Sequence, residues 1–191
     1  MSKAFPHFHP YYSHEELVEH FLLTPAELHF VLSFRGEANR CGVALLLKVL
    51  PYLGYVPERL GDIPQEVRRF ISGQLGLLWD RSDDYPWYTS TRDYHLAQVR
   101  KFTGWRFLTA QDKSELENWL RENAAYGSQS PETLMDAACQ RLQRLRVEVP
   151  TEKELERVVN SALSGFFLDI QQHVALAMPT EVRSRIVGVF N

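Results

Sequence analysis

The sequence predicts an all-α fold on three observations. Hydroxyl residues recur three positions ahead of an acid, at Ser13 and Glu16, Thr24 and Glu27, Thr109 and Asp112, and Thr151 and Glu154. That spacing lets the hydroxyl accept a first-turn amide while the acid reaches back to the cap, which is a helix start. Between these starts apolar residues fall three and four apart, and no stretch sustains a period-two alternation. Faces of that kind bury themselves against other helices.

In chain order, Leu17, Val18, Phe21 and Leu22 form the apolar face of a helix opened by Ser13. Pro25 occupies the first helical position after Thr24, where its missing amide is harmless. One helix then stops near Gly36 and the next begins at once. Val43 to Leu47 are apolar on every side of that second helix and must be buried. Two further faces are Val67, Phe70, Ile71 and Leu75, and Leu134, Ala138, Leu142 and Leu145. The longest stripe comprises Leu155, Val158, Val159, Ala162, Leu163, Phe166, Phe167, Ile170, Val174 and Ala177 and stops at Pro179. At 1.5 Å per residue it makes a helix of ~40 Å. A short last helix with Val182, Ile186 and Val189 inward closes the chain. The polar stretch from Trp79 to Tyr88, Pro86 included, reads as a junction between two helical units, 1–82 and 83–191. A faint echo between Phe21–Leu28 and Phe107–Leu116 agrees with two units.

Charge and composition exclude several functions. The 21 basic and 24 acidic residues leave a net charge of −3, so the chain has no general attraction to nucleic acid and any DNA contact must be local. Cys41 and Cys139 show neither disulfide nor zinc spacing, and a reducing cytoplasm is the expected compartment. The amino end lacks a signal-peptide core and no run approaches ~18 apolar residues, so no membrane partner is expected. His7, His9, His14, His20 and His29 invite a metal reading, but His14-Glu15 and His20 are six apart, whereas a zincin needs two histidines one turn apart. No metal and no cofactor are expected. There is no Gly-x-Ser-x-Gly elbow and no phosphate-cradling loop, and Asp80, Asp83 and Asp84 read as solvated loop residues. An enzyme has no residues to stand on here.

Two polar concentrations remain. Arg35, Asn39 and Arg40 gather where one helix turns into the next, and amides, an amide side chain and two guanidinium groups suit phosphate or base edges. The same corner is also readable as ordinary, its arginines paired with Glu37 and nearby carbonyls. The second is Tyr88–Phe107, locally basic with Arg92, Arg100, Lys101 and Arg106 against Asp93 alone. On a helix Thr91, His95 and Gln98 share a face with Arg92 at its edge, while Tyr94, Ala97 and Phe102 turn inward. A solvated amphipathic helix is the alternative.

Arg35-Gly-Glu-Ala-Asn-Arg40, followed by Gly42 and Ala44, resembles the motif Arg-Gly-Asp/Glu-Ala-Asn-Arg-x-Gly-x-Ala of the amino-terminal region of Tn-three family replicative transposases. Further pieces follow in order: Leu53-Gly54 and Pro57; Ile63-Pro64, Val67, Phe70 and Gln74-Leu75-Gly76; Thr91-Arg92, His95 and Arg100; Gly104 to Thr109; Trp119-Leu120; and Leu155-Glu156-Arg157. The similarity runs from about residue 15 onward. It departs at Phe107-Leu108, where the family usually has Pro-Phe, and at the acidic insertion around Asp83-Asp84. The resemblance implies tandem helical units that recognise the terminal inverted repeats of a transposon, ahead of a metal-dependent nuclease-like domain to which nothing in this chain corresponds.

The expectation is therefore a non-catalytic, all-α module with helix-turn-helix-like corners that binds double-stranded DNA at transposon ends. Arg35, Asn39 and Arg40 contact DNA from one unit and Thr91, Arg92, His95, Gln98 and Arg100 from the other, with Lys101 and Arg106 on the backbone. Its protein partners would be a second copy or the downstream domains of a longer transposase, and its location the cytoplasm, on the nucleoid when DNA-bound. Rival readings are a helical interaction module, with Phe166, Phe167 and Ile170 packed on a partner, and a transposase relic or regulator.

Overall fold

The structure is a computed structural model and describes residues 5–77, 84–124 and 130–177. Its helices are α1 (His14–Phe21), α2 (Pro25–Leu32), α3 (Glu37–Leu53), α4 (Gln65–Gln74), α5 (Ser90–Thr103), α6 (Ala110–Ala124), α7 (Pro131–Arg144) and α8 (Glu152–Ala177), with a short 3-10 turn at Leu60–Asp62. Among the described residues there is no sheet, only an isolated bridge between Arg106 and Val147. The all-α expectation holds.

All four expected helix starts form. The Glu16 amide donates to Ser13 Oγ, and the Ser13 amide donates back to Glu16 at 2.7 Å. That bond holds the Glu16 carboxyl below the usual carboxylate range. Thr24 and Glu27 repeat the arrangement with Pro25 opening α2. The Thr109 amide donates to Asp112 at 2.8 Å, and the Glu154 amide donates to Thr151 Oγ1. Each cap satisfies amides that the first turn leaves without carbonyls.

Contacts group the described chain into two compact units. The larger comprises Phe5–Leu108 and Cys139–Pro150 and is built on α3, against which α1, α2, α4 and α5 pack. As expected, every residue from Val43 to Leu47 is buried, and Val49, Leu50 and Leu53 extend the same core. Tyr85 lies so close to α3 that a Cβ on Gly42 would come within 2.2 Å of its ring. The late segment is stitched in by backbone bonds: Val149 N donates to Gly54 O at 2.8 Å, Arg106 N to Arg146 O at 3.0 Å, and Glu148 N to Arg106 O at 2.9 Å. The expected junction at residues 82 and 83 borders on and falls within a stretch outside the described residues, as do Trp79, Asp80 and the closing helix around Val182. Residues 84–108 are grouped with residues 5–77.

The smaller unit contains the described residues of 109–138 and 151–177. Leu116, Leu120, Leu134, Met135, Ala138, Leu155, Val159 and Ala162 are its buried apolar residues. Polar links tie α6 to α8 in rising order on both helices, so the two run in the same direction: Lys113 pairs with Glu154, Ser161 Oγ donates to Glu117 at 2.6 Å, and Arg121 pairs with Asp169. The long α8 has the expected extent, but only the first half of its stripe is covered. Phe167, Ile170 and Val174 are 59%, 42% and 47% exposed. Leu145, expected inward, is also exposed and lies past the end of α7. No helix among the described residues is long and apolar enough to cross a membrane.

Candidate nucleic-acid interface

Both polar concentrations lie in the larger unit. At the first, α2 ends at Leu32, four residues turn the chain, and α3 begins at Glu37. Gly36 caps α3 at φ 83°, a left-handed conformation that glycine adopts without the Cβ penalty of other residues. Its lack of a side chain leaves α3 without a side-chain cap. Asn39 Nδ2 donates to Arg35 O at 2.9 Å, and Arg40 Nε donates to Phe34 O at 2.8 Å. Those two side chains staple the corner to itself, as the ordinary reading of this corner has it. Arg35 is exposed and its side chain has no ion pair among the described residues.

The second concentration is α5, whose rotation about its axis differs from the expected one. The spacing turns Tyr94, Ala97 and Phe102 inward, yet Tyr94 is 60% exposed, Ala97 is exposed and Phe102 is 43% exposed. The buried residues are His95, Leu96 and Val99. A polar ring can go inward here because Tyr85 Oη shares a hydrogen bond with His95 Nδ1 at 3.0 Å, and the two rings stack. Phe34 meets the same imidazole edge-on, with ring centroids 5.0 Å apart. Burial lowers the His95 pKa, and burial also raises that of Tyr85. His95 is thus a packing residue, and the expectation that it faces a DNA groove is corrected.

Two of the arginines are also occupied. Arg100 forms a two-pronged pair with Glu148, each side chain about 15% exposed, and its guanidinium lies 3.8 Å from the Phe107 ring centroid. Arg92 donates to the Pro57 carbonyl at 3.2 Å and lies over the Trp87 ring. A cavity of about 320 Å³ beside them, walled also by Tyr55, Leu96 and Phe107, is lined by these two cations and by two carboxylates, Asp93 and Glu148. Arg106 is exposed, and the Phe107 carbonyl is among the partners of its guanidinium.

The outer side of α5 carries exposed Tyr94 and Lys101 with half-buried Thr91 and Gln98, spaced three, four and three apart on one helical stripe, and exposed Asp93 and Ala97 beside it. The end of α2 is held beside it by the stacked Phe30 and Phe102 rings, 4.2 Å apart, and by Phe34 against His95. The structure thus brings Arg35 and the α5 stripe into one neighbourhood. Tyr94, expected on the inner face, joins this stripe instead. The amino-terminal histidines pack beside aromatic rings, His20 beside Tyr52 and His9 on Tyr12. Among the described residues no three His, Cys, Asp or Glu side chains are grouped to hold a metal ion.

Fold and site together define an all-helical domain that keeps most of its arginines for itself and shows a short uncommitted polar stripe. The chain belongs to the family described as a domain of unknown function, DUF4158, whose pattern matches residues 2–162. It is similar to the transposase for transposon Tn1546 of Enterococcus faecium, at 25% identity over 170 residues, or 89% of this chain and 17% of that protein. It is also similar to the transposase for transposon Tn501 of Pseudomonas aeruginosa, at 23% identity over 80% of this chain and 15% of that protein. A third relative is the transposase for transposon Tn3926 of Escherichia coli, at 26% identity over 78% of this chain and 15% of that protein. The resemblance to Tn-three family transposases holds, and the chain spans about a sixth of the length of these relatives.

Proposed function

We propose that this chain serves in DNA transposition as a non-catalytic module that binds the terminal inverted repeats of a transposon as duplex DNA. One observation carries the reading: Arg35, Gln98 and Lys101, on two elements clamped together by Phe30 and Phe102, point no charge or amide at another described side chain. Guanidinium and ammonium groups in that condition suit phosphates, and an amide such as Gln98 suits an adenine edge. Arg106 adds a further backbone contact. Asn39 and Arg40 act by setting the corner that presents Arg35, and Thr91 and Tyr94 border the stripe.

The test is fluorescence anisotropy of the 191-residue chain on an inverted-repeat end and on its scramble, at several salt concentrations. If Arg35, Lys101 and Arg106 meet phosphates, log affinity falls with log salt at a slope of about −3. Gln98→Ala narrows the gap between the two duplexes and leaves the slope unchanged. Equal affinity for both duplexes in the wild type overturns end recognition.

A further inference from the structure

The second half of α8 carries an apolar seam that is not buried among the described residues. Leu155, Val159 and Ala162 are buried, and Phe166 continues that line until Asp169 ends it by pairing with Arg121. Beside this line runs another, Leu163, Phe167, Ile170, Val174 and Ala177, with spacings of four, three, four and three. That is the heptad spacing of a helix-pairing seam. It lies beyond residues 2–162, which the family match covers. Phe167, Ile170 and Val174 are exposed, and Phe166, Ile170, His173 and Val174 wall a groove of about 380 Å³ along α6, edged by the Arg121–Asp169 pair and by Glu122.

We infer that this seam is a self-association surface, and that its occupant is α8 of a second copy laid antiparallel about a two-fold axis at Ile170. The seam is close to palindromic in size. Inverted about Ile170, Leu163 faces Ala177 of the other copy and Phe167 falls level with His173 and one residue short of Val174, so each large apolar side chain of the seam meets a smaller one. A parallel pairing sets Phe167 against Phe167 and Ala177 against Ala177, crowding one layer and leaving another hollow. Charge agrees. The flanking positions of a pairing helix set partner choice by their charges, and here they are Ser164, Phe166, Gln171 and His173, with no carboxylate or ammonium among them. The one carboxylate in this half of α8, Asp169, is neutralised by Arg121 of its own chain. An identical helix therefore meets no like charge from these flanking positions of α8. Four helical turns against four hide on the order of 1,000 Å² in total, the lower bound for a specific interface, so the dimer is reversible.

Sedimentation velocity of the 191-residue chain from about 1 to about 300 μM, a span chosen to bracket weak association, reads the dimer directly. The wild type moves from monomer to dimer across that range. Ile170→Glu weakens it at least ~30-fold while leaving the circular-dichroism melt unchanged, because the position is exposed. Gln172→Glu, on the opposite side of α8, stays dimeric. Orientation is read by disulfide trapping: Leu163→Cys mixed with Ala177→Cys forms a cross-linked dimer, and Leu163→Cys alone does not. Cys41 and Cys139 are buried and do not compete. A wild-type monomer throughout, a dimer indifferent to Ile170→Glu, loss of the dimer in Gln172→Glu, or cross-linking of Leu163→Cys to itself would each overturn the inference. So would capture of the seam by a segment of its own chain, which the monomer result reports.

Discussion

The two sides of α5 carry similar residues and do opposite things. On one side Arg92, His95 and Arg100 are committed: to the Pro57 carbonyl and the Trp87 ring, to Tyr85 and Phe34, and to Glu148 and Phe107. On the other, Tyr94 and Lys101 are exposed and Thr91 and Gln98 half-buried between them. A locally basic helix thus says little about how much charge is available to a partner. A guanidinium counts toward an external phosphate only after the carboxylates, carbonyls and rings of its own fold have been counted, because a pair already formed must be broken and desolvated anew. Of the four basic residues that made this segment look like a DNA-binding surface, Lys101 faces outward, Arg106 is exposed but bonded within the fold, and Arg92 and Arg100 are held inside it.

Four perturbations test that contrast, from the largest effect downward. Arg100→Ala leaves Glu148 without its cation in a mostly buried setting, and urea unfolding should show a loss of about 2 to 4 kcal/mol. A loss below about 0.5 kcal/mol, the level of a surface substitution, would return Arg100 to the set available to a partner and break the comparison. Gly42→Ala pushes a methyl into the Tyr85 ring that supports His95 and should cost about 1 to 3 kcal/mol, read by the same unfolding curve.

His95 gives a smaller, pH-dependent effect. Burial sets its folded pKa below the unfolded value of about 6.5. The unfolded chain therefore binds the proton more readily, and the contribution of neutral His95 is fully present above about pH 6.5 and is lost as pH falls from there toward the folded pKa. The slope for one proton is at most about 1.4 kcal/mol per pH unit. Comparing unfolding midpoints of wild type and His95→Phe between neutral and mildly acidic pH isolates this term from the other six histidines. Identical pH profiles would place the imidazole in water. The smallest stability effect belongs to Lys101→Ala, within about 0.5 kcal/mol. Its consequence should appear in DNA titrations, as a salt slope reduced by about one. A large stability loss would show that this side of α5 is committed too.

How much of this was legible depends on the distance over which each interaction acts. The caps at Ser13, Thr24, Thr109 and Thr151 were readable because a cap is settled within four residues. The burial of Val43 to Leu47 was readable because a run apolar on all sides has nowhere else to go. The α5 site was only half legible. Its inner face was assigned to Tyr94 and Phe102, and the interior received His95, since hydrophobicity alone ranks tyrosine and phenylalanine above histidine. What reversed the order was Tyr85, ten residues away, supplying the bond that makes a buried imidazole tolerable. The partner of Arg100 is Glu148, 48 residues on, and no spacing rule points to it.

By itself, then, the sequence determined the helices of this protein, their starts, the buried axis of α3 and the extent of α8, because those follow from caps and from periodicity within a few turns. Tertiary structure alone decided which side of α5 looks out, which arginines are already held and which stretch of the α8 stripe goes uncovered. Each of these depends on groups brought together from distant parts of the chain, and a side chain's partners are fixed by where the backbone returns rather than by what stands beside it in the sequence.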